Sequence, residues 1–141
     1  MKRYVIILLL TLGCFSYAIH AQRVDSVKIN RDSVYKSPEV TAMHPKGKDY
    51  LRIFIEQNLN PAVPLQNGAP EGKYTVQAAL IVDTTGNVTA TTLTNLGYGM
   101  EKEVLRILKK LPKFIPAKQN GISVKSLQVV PVLFWISKGF N

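Results

Sequence analysis

Residues 73–83 alternate along the chain: Tyr74, Val76, Ala78, Leu80 and Val82 fall on one side, and Thr75, Gln77, Ala79, Ile81 and Asp83 on the other. A period of two marks a strand with one face in a core. Asp83-Thr84-Thr85-Gly86 follows, a turn sequence with glycine where a positive φ costs little. Residues 87–95 are threonine-rich and β-favouring, so the two runs predict a hairpin. On both sides of it the period changes. Tyr50, Leu51, Phe54, Ile55 and Leu59 recur at helical spacing from about Gly47. Asn60-Pro61 ends that helix, because the residue before proline avoids the helical region. A loop with Pro61, Pro64, Asn67-Gly68 and Pro70 comes next. A second helix is predicted over 100–111, its inner face being Met100, Val104, Leu105, Leu108 and Leu111. Glu101 and Glu103 open it and Lys109-Lys110 close it, each sign opposing the helix dipole.

After an Asn120-Gly121 turn, an apolar strand is predicted over 124–136, interrupted by Pro131. Proline cannot donate to a ladder, so a strand carrying one mid-length belongs at a sheet edge. If Val130, Val132, Phe134 and Ile136 face the helices, Leu127, Val129, Pro131, Leu133 and Trp135 line the opposite face. With Pro131 turned to the open side, Val129 and Leu133 direct their N–H groups there too. Those five residues form the candidate partner-binding set. An edge strand is met by a partner segment, or is covered by the chain's own N-terminal arm or by a second copy in a homodimer. The assembled order is helix, hairpin, helix, strand: a two-layer α+β domain, with a three-stranded antiparallel sheet and two helices on one face.

The N-terminus stands apart. Lys2-Arg3, an apolar run over 5–12 and a more polar stretch to Ala21 have the outline of a secretory signal peptide, residues 1–21, cleaved after Ala21 or, alternatively, Ala18. Residues 5–21 also sit at the lower length limit of a membrane anchor, and Thr11-Leu12-Gly13 before Cys14 has part of a lipid-attachment pattern. Residues 22–44 read as a linker or N-terminal arm, in which Val24, Val27, Ile29 and Val34 can add a short strand. The folded domain is expected over 45–137, with 138–141 as a tail.

The chain has 141 residues and is 46% hydrophobic, which is enough for one real core. Its net charge of +9 falls to +7 once Lys2 and Arg3 leave with the signal. That charge reads first as lysines scattered for solubility; it also suits an anionic envelope surface, a cell-wall polymer or an acidic partner, and export argues against nucleic acid. Cys14 is the only cysteine and also leaves, so disulfides, thiolate chemistry and cysteine-bound zinc are not expected in the mature chain. His44 is then a lone loop histidine, best read as structural, and Asp83 is explained by its turn. Gly97-Tyr98-Gly99 lacks the pattern of a phosphate loop. Neither an enzyme nor a bound cofactor or metal is expected.

Several segments together resemble one family. Met100-Glu101-Lys102-Glu103-Val104-Leu105-Arg106-Ile107-Leu108-Lys109-Lys110-Leu111-Pro112-Lys113-Phe114 is similar to the second helix and following turn of TonB C-terminal domains. So are Pro116-Ala117-Lys118-Gln119-Asn120-Gly121 and Pro131-Val132-Leu133-Phe134, while Val82-Asp83-Thr84-Thr85-Gly86-Asn87-Val88 resembles the family's hairpin. The resemblance covers about residues 38–136. It implies a periplasmic domain that contacts outer-membrane receptors by pairing its last strand with a short extended receptor segment, in the service of TonB-dependent transport. The membrane-anchored energy transducer of that family also has a long proline-rich spacer. Here residues 22–44 reach at most about 80 Å when fully extended.

Overall fold

The computed structural model describes residues 33–137. The segment expected to be a signal peptide, residues 1–21 with Cys14, the first part of the expected arm and the 138–141 tail therefore lie outside the described residues. The elements in chain order are β1 (Val34–Tyr35), α1 (Tyr50–Asn58), α2 (Ala62–Gln66), β2 (Gly72–Val82), β3 (Val88–Thr92), α3 (Met100–Leu108), β4 (Ala117–Gln119) and β5 (Ile122–Ile136).

The α+β class expected from the sequence is present, but the three-stranded antiparallel sheet is not. The sheet is mixed and five-stranded, in the order β1-β5-β2-β3, with β4 also paired to β5. Long strands β2 and β5 pair antiparallel from Gly72↔Ile136 to Val82↔Ser126, and β3 folds back on β2 from Val82↔Val88 to Ala78↔Thr92. The two additional strands are too short to carry a period. β1 lies parallel to β5 through two residues, Val34↔Lys125 and Tyr35↔Ser126. β4 is made by the Asn120-Gly121 turn, whose residues take φ of 49° and 74° and fold Ala117–Gln119 onto the start of β5. Positive φ at both central positions is the hairpin turn that matches strand twist.

The helices also depart from expectation in detail. α1 starts at Tyr50 rather than near Gly47, whose φ of 106° is not helical. α2 is an unforeseen short helix that tolerates Pro64 because proline in the first turn forfeits no helical hydrogen bond. On α3, Ile107 is fully buried and Leu105 only half-buried, so the inner face is rotated from the expected one.

One core lies between the helices and the inward face of the sheet. Val76, Leu80, Val132 and Phe134 from β2 and β5 meet Ile55 of α1 and Met100, Val104, Ile107 and Leu108 of α3. A smaller core of Ala42, Val82, Phe114, Ala117 and Val124 continues it. The chain after β1 crosses this second core to the far side of β4. Val40 exchanges backbone bonds with Lys118, Met43 with Ile115, and Gln128 Nε2 donates to Ala42 O at 2.6 Å. Glu39 accepts from Gln119 Nε2 and from the Asn120 amide at the hairpin tip.

Two polar constellations hold the ends of this frame. Asp83 accepts four bonds, from the hydroxyl and amide of Thr85 and the side-chain and backbone amides of Asn87, at 2.7–2.9 Å. The Thr85 and Asn87 side chains hold its carboxyl far below the usual range. The same turn receives Phe114, whose N–H donates to Gly86 O. Gly86 has φ of 87° and no room for a Cβ, which would collide with the Phe114 carbonyl.

Glu103 is more than the helix-start charge expected of it. It is buried, accepts from Arg106 Nε and Nη2 at 2.7 Å each, and takes the Asn60 amide at 2.8 Å. Arg106 also donates to Asn58 O, so the pair joins α3 to the end of α1. The Arg106 hydrogen bonds lower the Glu103 pKa against the opposing effect of burial.

Candidate functional site: the open edge of β5

β5 is flanked on one side by β2 over 126–136 and by the β4 hairpin over 122–124. On its other side β1 meets it only at Lys125 and Ser126. Among the described residues, no strand lies against that flank from Gln128 to Ile136.

The direction of each peptide group follows from the register. Gln77 O accepts from Leu93 at 2.7 Å, Gln77 N–H donates to Thr94 Oγ1 at 3.2 Å, and Asp83 N–H donates to Asn87 O. Odd-numbered residues of β2 therefore spend their backbone groups toward β3, and even-numbered ones bond β5. Directly opposed residues in an antiparallel pair share this alternation. Pro131 is opposite Gln77, so its ring nitrogen turns to the vacant flank, and no β2–β5 bond is lost to it. The N–H groups of Val129, Leu133 and Trp135 point the same way, as do the carbonyls of Val129, Pro131, Leu133 and Trp135. Among the described residues no strand pairs with this row of groups, on a strand with an inbuilt proline gap.

The side chains obey the expected division. Val132, Phe134 and Ile136 are buried inward and Val130 half-buried. On the outward face Leu127 is half-buried beside β1, Pro131 is exposed, and Val129, Leu133 and Trp135 are 52%, 55% and 65% exposed. All five candidate residues therefore share one strand and one face, with Leu127 at the covered end.

The groove beside this edge has no signature in the local sequence. α1 stands over the flank, and an apolar groove of about 510 Å³ runs between Ile55 and Leu59 on one wall and residues 130–133 on the other. Arg52 and Glu56, joined at 3.0 Å, form its rim. The helical spacing of Ile55 and Leu59 marked them as apolar, but nothing local indicated that they would border an open strand. The groove meets a second one of about 380 Å³ at Val130, lined by Thr41, His44, Lys48, Leu51 and Phe114. A larger hollow, about 610 Å³, lies away from the edge between α2 and the start of α3. Its Glu103 and Arg106 are already bonded to each other.

His44 has a structural role. It is buried, its ring stacks on Tyr50 at 3.5 Å between centroids, and Phe114 meets it edge-on. Its Nδ1 accepts the Lys46 amide at 3.1 Å, which requires that nitrogen to be unprotonated. Burial, then the Lys46 charge, depresses its pKa. Among the described residues no group of three or more His, Cys, Asp or Glu side chains could hold a metal ion, and no helix is long and apolar enough to cross a membrane.

The arrangement offers backbone pairing along one flank and an apolar slot for every second side chain of whatever pairs there. Comparisons with family models, with curated proteins and with solved structures found no match to this chain.

Proposed function

We propose that this protein is an exported envelope domain that binds an extended protein segment by strand addition to the open flank of β5. The observation that carries the reading is the stretch of β5 from Gln128 to Ile136 that no other described strand flanks, with Pro131 turned outward and an apolar groove beside it. A segment laid there would bond Val129, Leu133 and Trp135 and skip the missing donor at Pro131. Its inward side chains would enter the groove between Ile55, Leu59, Val130 and Val132. The resemblance to TonB C-terminal domains supports an outer-membrane receptor as the partner, the periplasm as the site and TonB-dependent transport as the process. A membrane-anchored transducer would use the same edge with residues 1–21 retained. Homodimerisation or cell-wall contact would occupy it differently.

The test is a photo-reactive residue placed at Leu133 in cells, with the cross-linked envelope protein identified by mass spectrometry. Peptides from that protein are then titrated against the purified chain. Leu133→Pro, which removes one outward donor, should weaken peptide binding by about tenfold, the worth of one hydrogen bond without which a partner acceptor is stranded. A bound peptide indifferent to Leu133→Pro, and to N-methylation of its own backbone, would refute strand addition.

A further inference from the structure

The sheet face turned away from the helices carries a feature that pairing at the edge does not use. Val129, Leu133 and Trp135 project from it, and Leu93, 59% exposed, joins them. The Leu93 amide donates to Gln77 O, which keeps Leu93 in register with outward-facing Gln77 and, beyond it, Pro131. Val129, Leu133 and Trp135 form an apolar stripe along the open margin of the sheet, while Leu93 stands apart from them across β2, beyond Gln77. Lysines stand at both ends. Lys73 is opposite Trp135 with Nζ 4.4 Å from the ring centroid. Lys125 lies at the β1 end, and Lys118, opposite Ser123, shares that face. Among the described strand residues that face outward, lysine is the only charged type.

We infer that this face docks on an anionic phospholipid surface, with Trp135 and Leu133 in the headgroup layer and the lysines on lipid phosphates. The charge is complementary, in keeping with the +9 of the whole chain. The residue types also favour lipid over an acidic protein. Lysine is depleted in protein interfaces, whereas its long stem and the amphipathic indole suit a water–hydrocarbon boundary. Side chains stand perpendicular to the sheet and the unpaired peptide groups lie in its plane, so lipid docking leaves the β5 flank open to a strand. The inference does not depend on the strand-addition reading.

Trp135 is the only tryptophan, so its emission reports this face alone. The full chain is mixed with phosphatidylglycerol–phosphatidylcholine vesicles and with pure phosphatidylcholine vesicles at low salt. Binding to the anionic vesicles with a blue shift of Trp135 emission, quenched by brominated acyl chains and reversed by salt, is expected. The exposed double variant Val129→Thr/Leu133→Thr, checked for folding by circular dichroism, should bind at least about tenfold more weakly. Lys73→Gln/Lys125→Gln should lose the preference for anionic lipid. Absence of binding would overturn the inference, and so would binding in which Trp135 emission does not move, since the apolar N-terminal residues would then be the anchor. An equal blue shift with soluble polyglutamate would point to an acidic protein partner and overturn it too.

Discussion

Proline placed at two adjacent positions of β5 should have opposite consequences, and the contrast tests the assignment of the open flank directly. Val132 is buried, opposite buried Val76, and by the ladder alternation its N–H bonds β2. Val132→Pro removes that donor and leaves a Val76 carbonyl stranded in the core, a cost of about 1–3 kcal/mol. The ring also replaces a fully packed valine and forces local rearrangement, for about 1–3 kcal/mol more. The sum, roughly 2–6 kcal/mol, is a large part of the stability of a small domain. Leu133 has its N–H on the vacant flank and a half-exposed side chain. Leu133→Pro therefore breaks no ladder bond to a described strand. It restrains only its own φ and the backbone of Val132, which is already extended, for about 1 kcal/mol. Urea unfolding followed by circular dichroism reads both variants: Val132→Pro should lose most of its midpoint or fail to fold, and Leu133→Pro should stay close to wild type with an unchanged m-value. If Leu133→Pro were as damaging as Val132→Pro, its N–H would be spent inside the domain and the edge would not be open.

Three further outcomes follow from the same frame. Gly86→Ala should destabilise by about 3 kcal/mol in urea unfolding, because a positive φ and collision with the Phe114 carbonyl act together and endanger the Phe114 N–H bond. His44 has a folded pKa below that of the unfolded chain, so its contribution is present above about pH 6.5 and is lost as pH falls through that value toward the folded pKa. His44→Gln should accordingly flatten the stability–pH curve between neutrality and mild acid, measured by thermal unfolding at a series of pH values. Ser126→Ala should be neutral or stabilising by up to about 1 kcal/mol, since the Ser126 hydroxyl is buried with no hydrogen-bond partner among the described residues; a clear loss in urea unfolding would show that it has one.

The long elements were legible because their periods run far enough to be unambiguous. β2 alternates over eleven residues, and the inward and outward faces of β5 came out as read from Val130 to Ile136. β1, β4 and α2 have two, three and five residues, too few for either period; β1 and β4 enlarged the antiparallel trio, and β1, parallel to β5, made the sheet mixed. The misjudged inner face of α3 has a different cause. Leu105 and Ile107 are equally apolar, and only the seat of the helix on β2 and β3 selects between them. Glu103 likewise shows a helix-start carboxylate in sequence, and its burial depends on Asn58 and Asn60 arriving from α1.

By itself, the sequence determined that β5 would carry a proline at its middle and an apolar outward face, because residue type and a period of two are local properties. Three things required the folded chain: the side to which the Pro131 nitrogen points, the shortness of the β1 cover, and the groove that α1 makes along the flank. Each depends on the register and placement of segments distant in sequence. A hydrogen-bond direction or a groove belongs to two elements at once, so neither element encodes it alone.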